Sequence, residues 1–206
     1  MDNLVIVFAK NPELGKCKTR LAKSIGDEKT LEIYKELLKH TAQTIGNVNA
    51  SRVVFYSEEI QTQDFWDDTL FQKQVQSEGH LGKKMQDAFE WGFAQGYSKI
   101  CIVGSDLLEL RASDLENAFR ELKQNDIVFG PAYDGGYYLM GMTQFYKKAF
   151  LEKAWSTETV LEKTVEDLKG LSIAFLDTKT DIDTLEDLMK HPEFHHYIPR
   201  KILKEL

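Results

Sequence analysis

Leu4-Val-Ile-Val-Phe-Ala9 is the stretch from which the fold is read. It is apolar throughout, shows no alternation, and is closed at once by Lys10-Asn-Pro12. That pattern fits a strand buried on both faces. A sheet covered on both faces needs helices on each side, and the same signature recurs downstream. Arg52-Val-Val-Phe-Tyr-Ser57, Lys99-Ile-Cys-Ile-Val-Gly104, Asp126-Ile-Val-Phe-Gly130 and Ser172-Ile-Ala-Phe-Leu-Asp177 read as strands. Gly136-Tyr-Tyr-Leu-Met-Gly141 is another, after a turn over 131–135, and a short strand falls near 70–75.

Helical patterns separate these runs. Asp27 caps a helix to about Ile45, stopped by Gly46. Leu81, Met85, Ala88, Phe89, Gly92 and Phe93 recur at helical spacing, which predicts a helix over 81–95. Ser113 and Glu116 read as a capping box for a helix to about Gln124. Further helices are expected near 144–153 and 157–169, with a short one over 184–190 capped by Asp183 or Thr184. Pro192 and Pro199 mark an irregular tail, and 10–23 reads as a charged loop. Alternating strands and helices give an α/β class: one domain over 1–206, with a mainly parallel mixed sheet and helices on both faces. In such sheets ligands bind beyond the carboxyl ends of the strands. The loops after Ala9, Gly104 and Gly130 are therefore the places for a site.

The chain has 206 residues, 33 acidic against 26 basic, and a net charge of −7. A nucleic-acid partner needs a basic face, so this balance argues against one. Hydrophobic residues at 42% and charged residues at 29% fit a globular domain with a full core and exclude low-complexity classes. Neither a signal peptide nor an apolar run long enough for a membrane span is expected. The two cysteines, Cys17 and Cys101, form no disulfide framework, and a reducing cytoplasmic setting follows.

Against the acidic background, 10–23 reverses sign, with five basic residues and one acidic. Gly15 permits close backbone approach, Thr19 offers a hydroxyl, and Arg20 offers a fixed fork of donors. That inventory suits a pyrophosphate-bearing ligand; a solvated basic loop is the alternative. The loop is neither a Walker A sequence nor a G-x-G-x-x-G fingerprint. Asp106 falls just past the 99–104 strand, as a ligand for a hard divalent cation or as a turn or cap residue, with Glu109 nearby. Gly130-Pro-Ala-Tyr-Asp-Gly-Gly-Tyr-Tyr138 reads as an acceptor pocket or as an Asp-Gly hairpin turn. Asp181 and Asp183 precede the short helix as candidates for metal binding or capping. His191 and His195 lack the partners a zinc site needs.

Four segments stand in fixed order: Phe8-Ala-Lys-Asn-Pro-Glu-Leu-Gly-Lys-Cys-Lys-Thr-Arg-Leu21, Gly79-His-Leu-Gly-Lys-Lys-Met85, Gly104-Ser-Asp106, and 130–141. With Asp181-Ile-Asp-Thr-Leu-Glu-Asp-Leu188 they resemble the bacterial family of small glycosyltransferases related to the arsenosugar-biosynthesis type. That family is similar to 2-phospho-lactate guanylyltransferase and molybdenum-cofactor guanylyltransferase. The resemblance covers about residues 4–190. It implies a three-layer nucleotide-diphospho-sugar transferase fold of the GT-A kind and dependence on Mg²⁺ or Mn²⁺. It places the nucleotide on Lys10, Gly15, Lys18, Thr19 and Arg20, the metal on Asp106 and Asp183, and the acceptor near Asp134, Gly135, Gly136 and Tyr137. Asp106 and Arg20 are then the catalytic candidates.

His80 and Leu108 stand where that family usually has an acidic residue and a proline. The expected activity is glycosyl transfer from a nucleotide sugar to a small acceptor. Nucleotidyl transfer with release of pyrophosphate, and nucleotide binding without turnover, are the alternatives.

Overall fold

A computed structural model describes residues 2–151, 153–155 and 157–203. The opening apolar run lies in β1 (Asn3–Ala9), an interior strand third from one edge of a seven-stranded sheet. The other strands are β2 (Ser51–Tyr56), β3 (Gln72–Val75), β4 (Lys99–Gly104), β5 (Ile127–Pro131), β6 (Tyr137–Met142) and β7 (Ile173–Phe175). Their order is β3-β2-β1-β4-β6-β5-β7. β6 runs antiparallel to β4 and β5, and the remaining pairs are parallel. The mixed, mainly parallel sheet is as expected.

The two-residue period of the strands sends alternate side chains into two cores. Val5, Val7, Val54, Cys101, Val103 and Val128 face one side, where α2 (Asp27–Gly46) and α4 (Ala112–Glu121) lie over them. Leu4, Ile6, Val53, Ile100, Ile102, Ile127 and Met140 face the other, covered by α3 (Leu81–Ala94) and by α5 (Val160–Asp167) with a 3-10 turn, Lys147–Phe150. A third cluster joins α1 (Thr19–Ile25) and the outer face of α2 to α6 (Leu185–Met189). Among the described residues no helix is long and apolar enough to cross a membrane.

Several boundaries differ from the sequence reading. The charged stretch after β1 turns into α1 at Thr19 instead of continuing to Lys23. The helix after Leu110 opens at Ala112. Its first turn is closed by the Arg111 N–H donating to the Asp114 carboxylate at 2.8 Å, so Ser113 and Glu116 are not its box. Among the described residues of 144–153 the helical structure is a single 3-10 turn, enough to bury Ala149 and Phe150. The helix read over 157–169 contracts to α5, and the last strand to three residues at the sheet edge. The tail is ordered into a 3-10 turn, Pro192–Tyr197, and α7 (Arg200–Leu203), with Phe194 and Ile198 buried against Leu21, Ile33 and Leu37. Pro192 lies in the first turn of its element, where a missing N–H costs nothing.

Gly141 in β6 is crowded from both sides. An added Cβ would stand 2.7 Å from Val128 Cγ1 and 2.8 Å from Cys101 Sγ. Gly141→Ala is expected to lower the unfolding free energy by about 1–3 kcal/mol through overpacking, read by urea denaturation with an unchanged m value.

Candidate active site

The carboxyl ends of β1 and β4 lie side by side, with Phe8 in register with Gly104. The loop after β1 therefore meets the loop after β4. The first is held rigidly. The Asn11 side chain donates to Glu59 O at 2.8 Å and accepts from the Glu58 N–H at 3.0 Å, which ties the loop to the end of β2. The Cys17 thiol donates to Asn11 O from a buried position. These bonds give the loop a defined shape, while Lys10, Lys16, Arg20 and Lys23 remain exposed to solvent.

Tyr34 of α2 joins the two loops. Its hydroxyl accepts from the Lys10 N–H at 2.9 Å, donates to Lys10 O at 3.1 Å, and lies 3.2 Å from the Ser105 hydroxyl. Burial, above all, pushes this phenol well above the usual tyrosine range, so it stays a neutral hydrogen-bonding group. The sequence reading missed Tyr34 and Ser105. An apolar-periodic position in a helix gives no sign that its aromatic residue carries a buried polar tip.

Lys18 takes a left-handed backbone (φ 45°, ψ 49°) immediately before α1. Among the described residues it is the non-glycine residue with positive φ. Such a conformation costs on the order of 1–3 kcal/mol and persists only where its surroundings enforce it. Here it directs the side chain inward, where only 4% remains exposed. Lys18 Nζ donates to Asp106 Oδ2 at 2.9 Å and to Asp183 Oδ1 at 3.5 Å. Arg20 Nη1 meets the other Asp183 oxygen, Oδ2, at 3.3 Å. The series Asp106, Lys18, Asp183, Arg20 thus joins the amino-terminal loop, the centre of the chain and its carboxyl-terminal part.

Burial opposes the charge on Lys18, but Asp106 and Asp183 outweigh it and hold the ammonium above its ordinary value. Burial likewise pushes the Asp106 carboxyl up, and the Lys18 charge and hydrogen bond bring it below the usual carboxylate range. Asp181 behaves in the opposite way. Burial first, then the negative charges of Asp106 and Asp134, push it up to about 6 despite Lys18. It lies within the electrostatic reach of both the Asp106 loop and the Asp134 loop.

Local structure frees the acids for this arrangement. An added Cβ on Gly104 would stand 2.9 Å from Asp106 Oδ1, so the glycine leaves room for that carboxylate. Thr184 and Asp187 form the box that opens α6, with the Thr184 N–H donating to Asp187 at 3.0 Å. Asp183 is thereby not needed as the cap. Glu109 accepts from the Thr180 N–H and lies outside the series. Asp106 and Asp183 are the pair whose oxygens face one shared cationic position. Among the described residues no group of three or more His, Cys, Asp or Glu side chains is gathered as a metal site.

The remaining expected residues stand apart from this series of ion pairs. Lys10, Gly15 and Thr19 are exposed, as is Arg20 within the series. Asp134 accepts from the Gly136 N–H at 2.9 Å, the hairpin-turn alternative, and keeps an exposed carboxylate. Gly135, at φ +85°, packs so closely on Glu158 O that no side chain fits. The Tyr137 ring packs on Phe129, with centroids 5.2 Å apart, and its buried hydroxyl has no hydrogen-bond partner among the described residues. His80 is the N-cap of α3, its Nδ1 accepting from the Lys83 N–H at 3.3 Å, a role an aspartate fills equally well. Leu108 packs against the third cluster.

The sequence profile of DUF2064, described as uncharacterized proteins conserved in bacteria, matches residues 40–157. The chain belongs to the DUF2064 family. No curated protein matches its sequence. Among solved structures, this DUF2064 chain is similar to a candidate nucleotide-diphospho-sugar transferase of Desulfovibrio desulfuricans G20. The two are 26% identical with a TM-score of 0.86, covering 99% of this chain and 94% of the other. A cytidylyltransferase of Leptospira borgpetersenii serovar Hardjo-bovis (strain JB197) shares the fold at 14% identity and a TM-score of 0.60, covering 100% and 94%. The 4-diphosphocytidyl-2C-methyl-D-erythritol synthase of Anaerococcus prevotii DSM 20548 does so at 9% identity and 0.61, covering 94% and 96%. The DUF2064 chain thus has the α/β fold of nucleotide-diphospho-sugar transferases.

Tyr34→Phe is expected to destabilise the protein by about 1–3 kcal/mol, since it strands buried backbone and hydroxyl groups of Lys10 and Ser105. Thermal unfolding by circular dichroism measures it; an unchanged midpoint would mean that the two loops hold together without the phenol.

Proposed function

We propose that the protein is a metal-dependent transferase that takes a nucleotide-activated donor and moves a glycosyl group from a nucleotide sugar to a small-molecule acceptor. The observation that carries this reading is the convergence of Lys18 and Arg20 with Asp106 and Asp183 at the adjoining carboxyl ends of β1 and β4. Likeness to the Desulfovibrio desulfuricans G20 transferase at 26% identity supports it.

The donor set suits a hard cation. Mg²⁺ is commonly held by one or two carboxylates, with substrate phosphates and waters completing the shell. Asp106 and Asp183 would hold Mg²⁺ or Mn²⁺, which when bound supplies neutralisation of charge on the diphosphate leaving group. The protein's own groups do the rest. Exposed Arg20 presents a planar fork to a phosphate, and Thr19 and Lys10 add a hydroxyl and an ammonium. Gly15, at φ +76°, brings backbone close to the ligand. Asp134 and the backbone of Gly135 and Gly136, beside Tyr137, line the acceptor side. Cys17 and Cys101, both free and buried, agree with a cytoplasmic setting.

Nucleotidyl transfer is the second reading, favoured by the cytidylyltransferases that share the fold. Both reactions need the same phosphate cradle, and the leaving group separates them. The assay incubates the protein with nucleotide sugars or nucleoside triphosphates, Mn²⁺ or Mg²⁺, and an acceptor panel. Release of nucleoside diphosphate is the expected result, and pyrophosphate release would replace it with the second reading. Asp106→Asn is expected to reduce turnover by roughly 10²- to 10³-fold. Turnover at the parent rate would remove Asp106 from the mechanism.

A further inference from the structure

Lys18 belongs to the basic stretch 10–23, yet it is buried while Lys10, Lys16, Arg20 and Lys23 are exposed. Its side chain is 4% exposed, whereas Asp106 and Asp183 are 40% and 38% exposed and Arg20 is 68% exposed. The ammonium therefore lies beneath the two carboxylates, and they lie between it and solvent. Its hydrogen bonds run to Asp106 Oδ2 and Asp183 Oδ1. Its root is fixed by the left-handed backbone and by the Lys18 carbonyl, which accepts the Ala22 N–H at 3.0 Å and so starts α1.

We propose that Lys18 is a positioning residue for the acidic pair and not a phosphate ligand. This rests on the reading of Asp106 and Asp183 as the holders of the divalent cation. Two carboxylates brought together in a partly dry site repel one another. A compact ammonium with several donors, buried behind both, cancels that repulsion and fixes one oxygen of each. Asp106 Oδ1 is left for a cation arriving from solvent with the nucleotide, and Asp183 Oδ2, which Arg20 meets at 3.3 Å, joins it when Arg20 turns to the phosphate. Groups that orient metal-binding side chains in this way set affinity without touching the substrate. Phosphate contact then falls to the exposed members of the loop, Lys10, Thr19 and Arg20.

The test compares Lys18→Met and Lys18→Gln with Arg20→Ala, after circular dichroism has established that each is folded. Calorimetry measures the binding of Mn²⁺ with nucleotide, and of nucleotide alone in chelator. The Lys18 variants are expected to lose roughly ten- to a hundred-fold in Mn²⁺ affinity while metal-free nucleotide affinity stays at the parent value. Arg20→Ala is expected to weaken the metal-free nucleotide. Lys18→Arg, which keeps the charge, is expected to recover part of the Mn²⁺ affinity. A fall in metal-free nucleotide affinity in both Lys18 variants, equal to that in Arg20→Ala, overturns the proposal. A parent protein whose nucleotide binding is indifferent to Mn²⁺ sinks the metal reading of the pair, while the chelator arm still decides whether Lys18 meets phosphate.

Discussion

One ammonium group withdrawn from water ties together the loops after β1 and β4 and the segment before α6. A buried charge is tolerated only where opposite charge and hydrogen bonds answer it. The answer to Lys18 comes from two places far apart in sequence, 88 and 165 residues away. That requirement fixes where the turn after β4 must stand and where the segment before α6 must lie. It also accounts for a lysine holding a backbone conformation usually left to glycine. Removing either carboxylate would weaken more than a contact, because the ammonium would be left partly unanswered in its dry position. The carboxylates themselves are partly exposed, so the penalty on their side is screened.

The sheet supplies the stage through a simple rule. Each strand of the central set is apolar on both faces, so each contributes side chains to two separate cores. With both faces covered, the polar groups collect at the strand ends. Tyr34 shows how closely the two levels are joined. Its ring belongs to the core beneath α2, and its hydroxyl holds the loops after β1 and β4 to one another. Packing and polar geometry are set by the same side chain.

Much of this was legible in the residues. Unbroken apolar runs such as 4–9 and 100–103 can hardly be anything but doubly covered strands, and Gly46 marks a helix end without help from tertiary contacts. The sign reversal over 10–23 and Asp106 after a strand belong to loops that meet at the carboxyl ends of β1 and β4. Legibility failed where long-range contact decides. The tail was read as irregular because its two prolines dominate the local signal, yet Phe194 and Ile198 are drawn under α1 and α2. The region 144–153 has helical spacing, but a single turn suffices to bury Ala149 and Phe150. The inward direction of Lys18, the phenol of Tyr34 and the half-buried Asp181 depend on atoms far along the chain, which a local pattern does not contain.

The third cluster has a consequence for how the molecule comes to exist. Asp183 is fastened by α6, and α6 by the packing of Leu188 with Ile25, Leu37 and Phe194. A ribosome-bound fragment ending near residue 150 would carry the basic loop and Asp106 but lack their third member and the edge strand beside β5. Pairings of such sequence separation form late in folding. The charged constellation therefore cannot close until the chain has been made at least through α6 and the Phe194 segment packed beneath it.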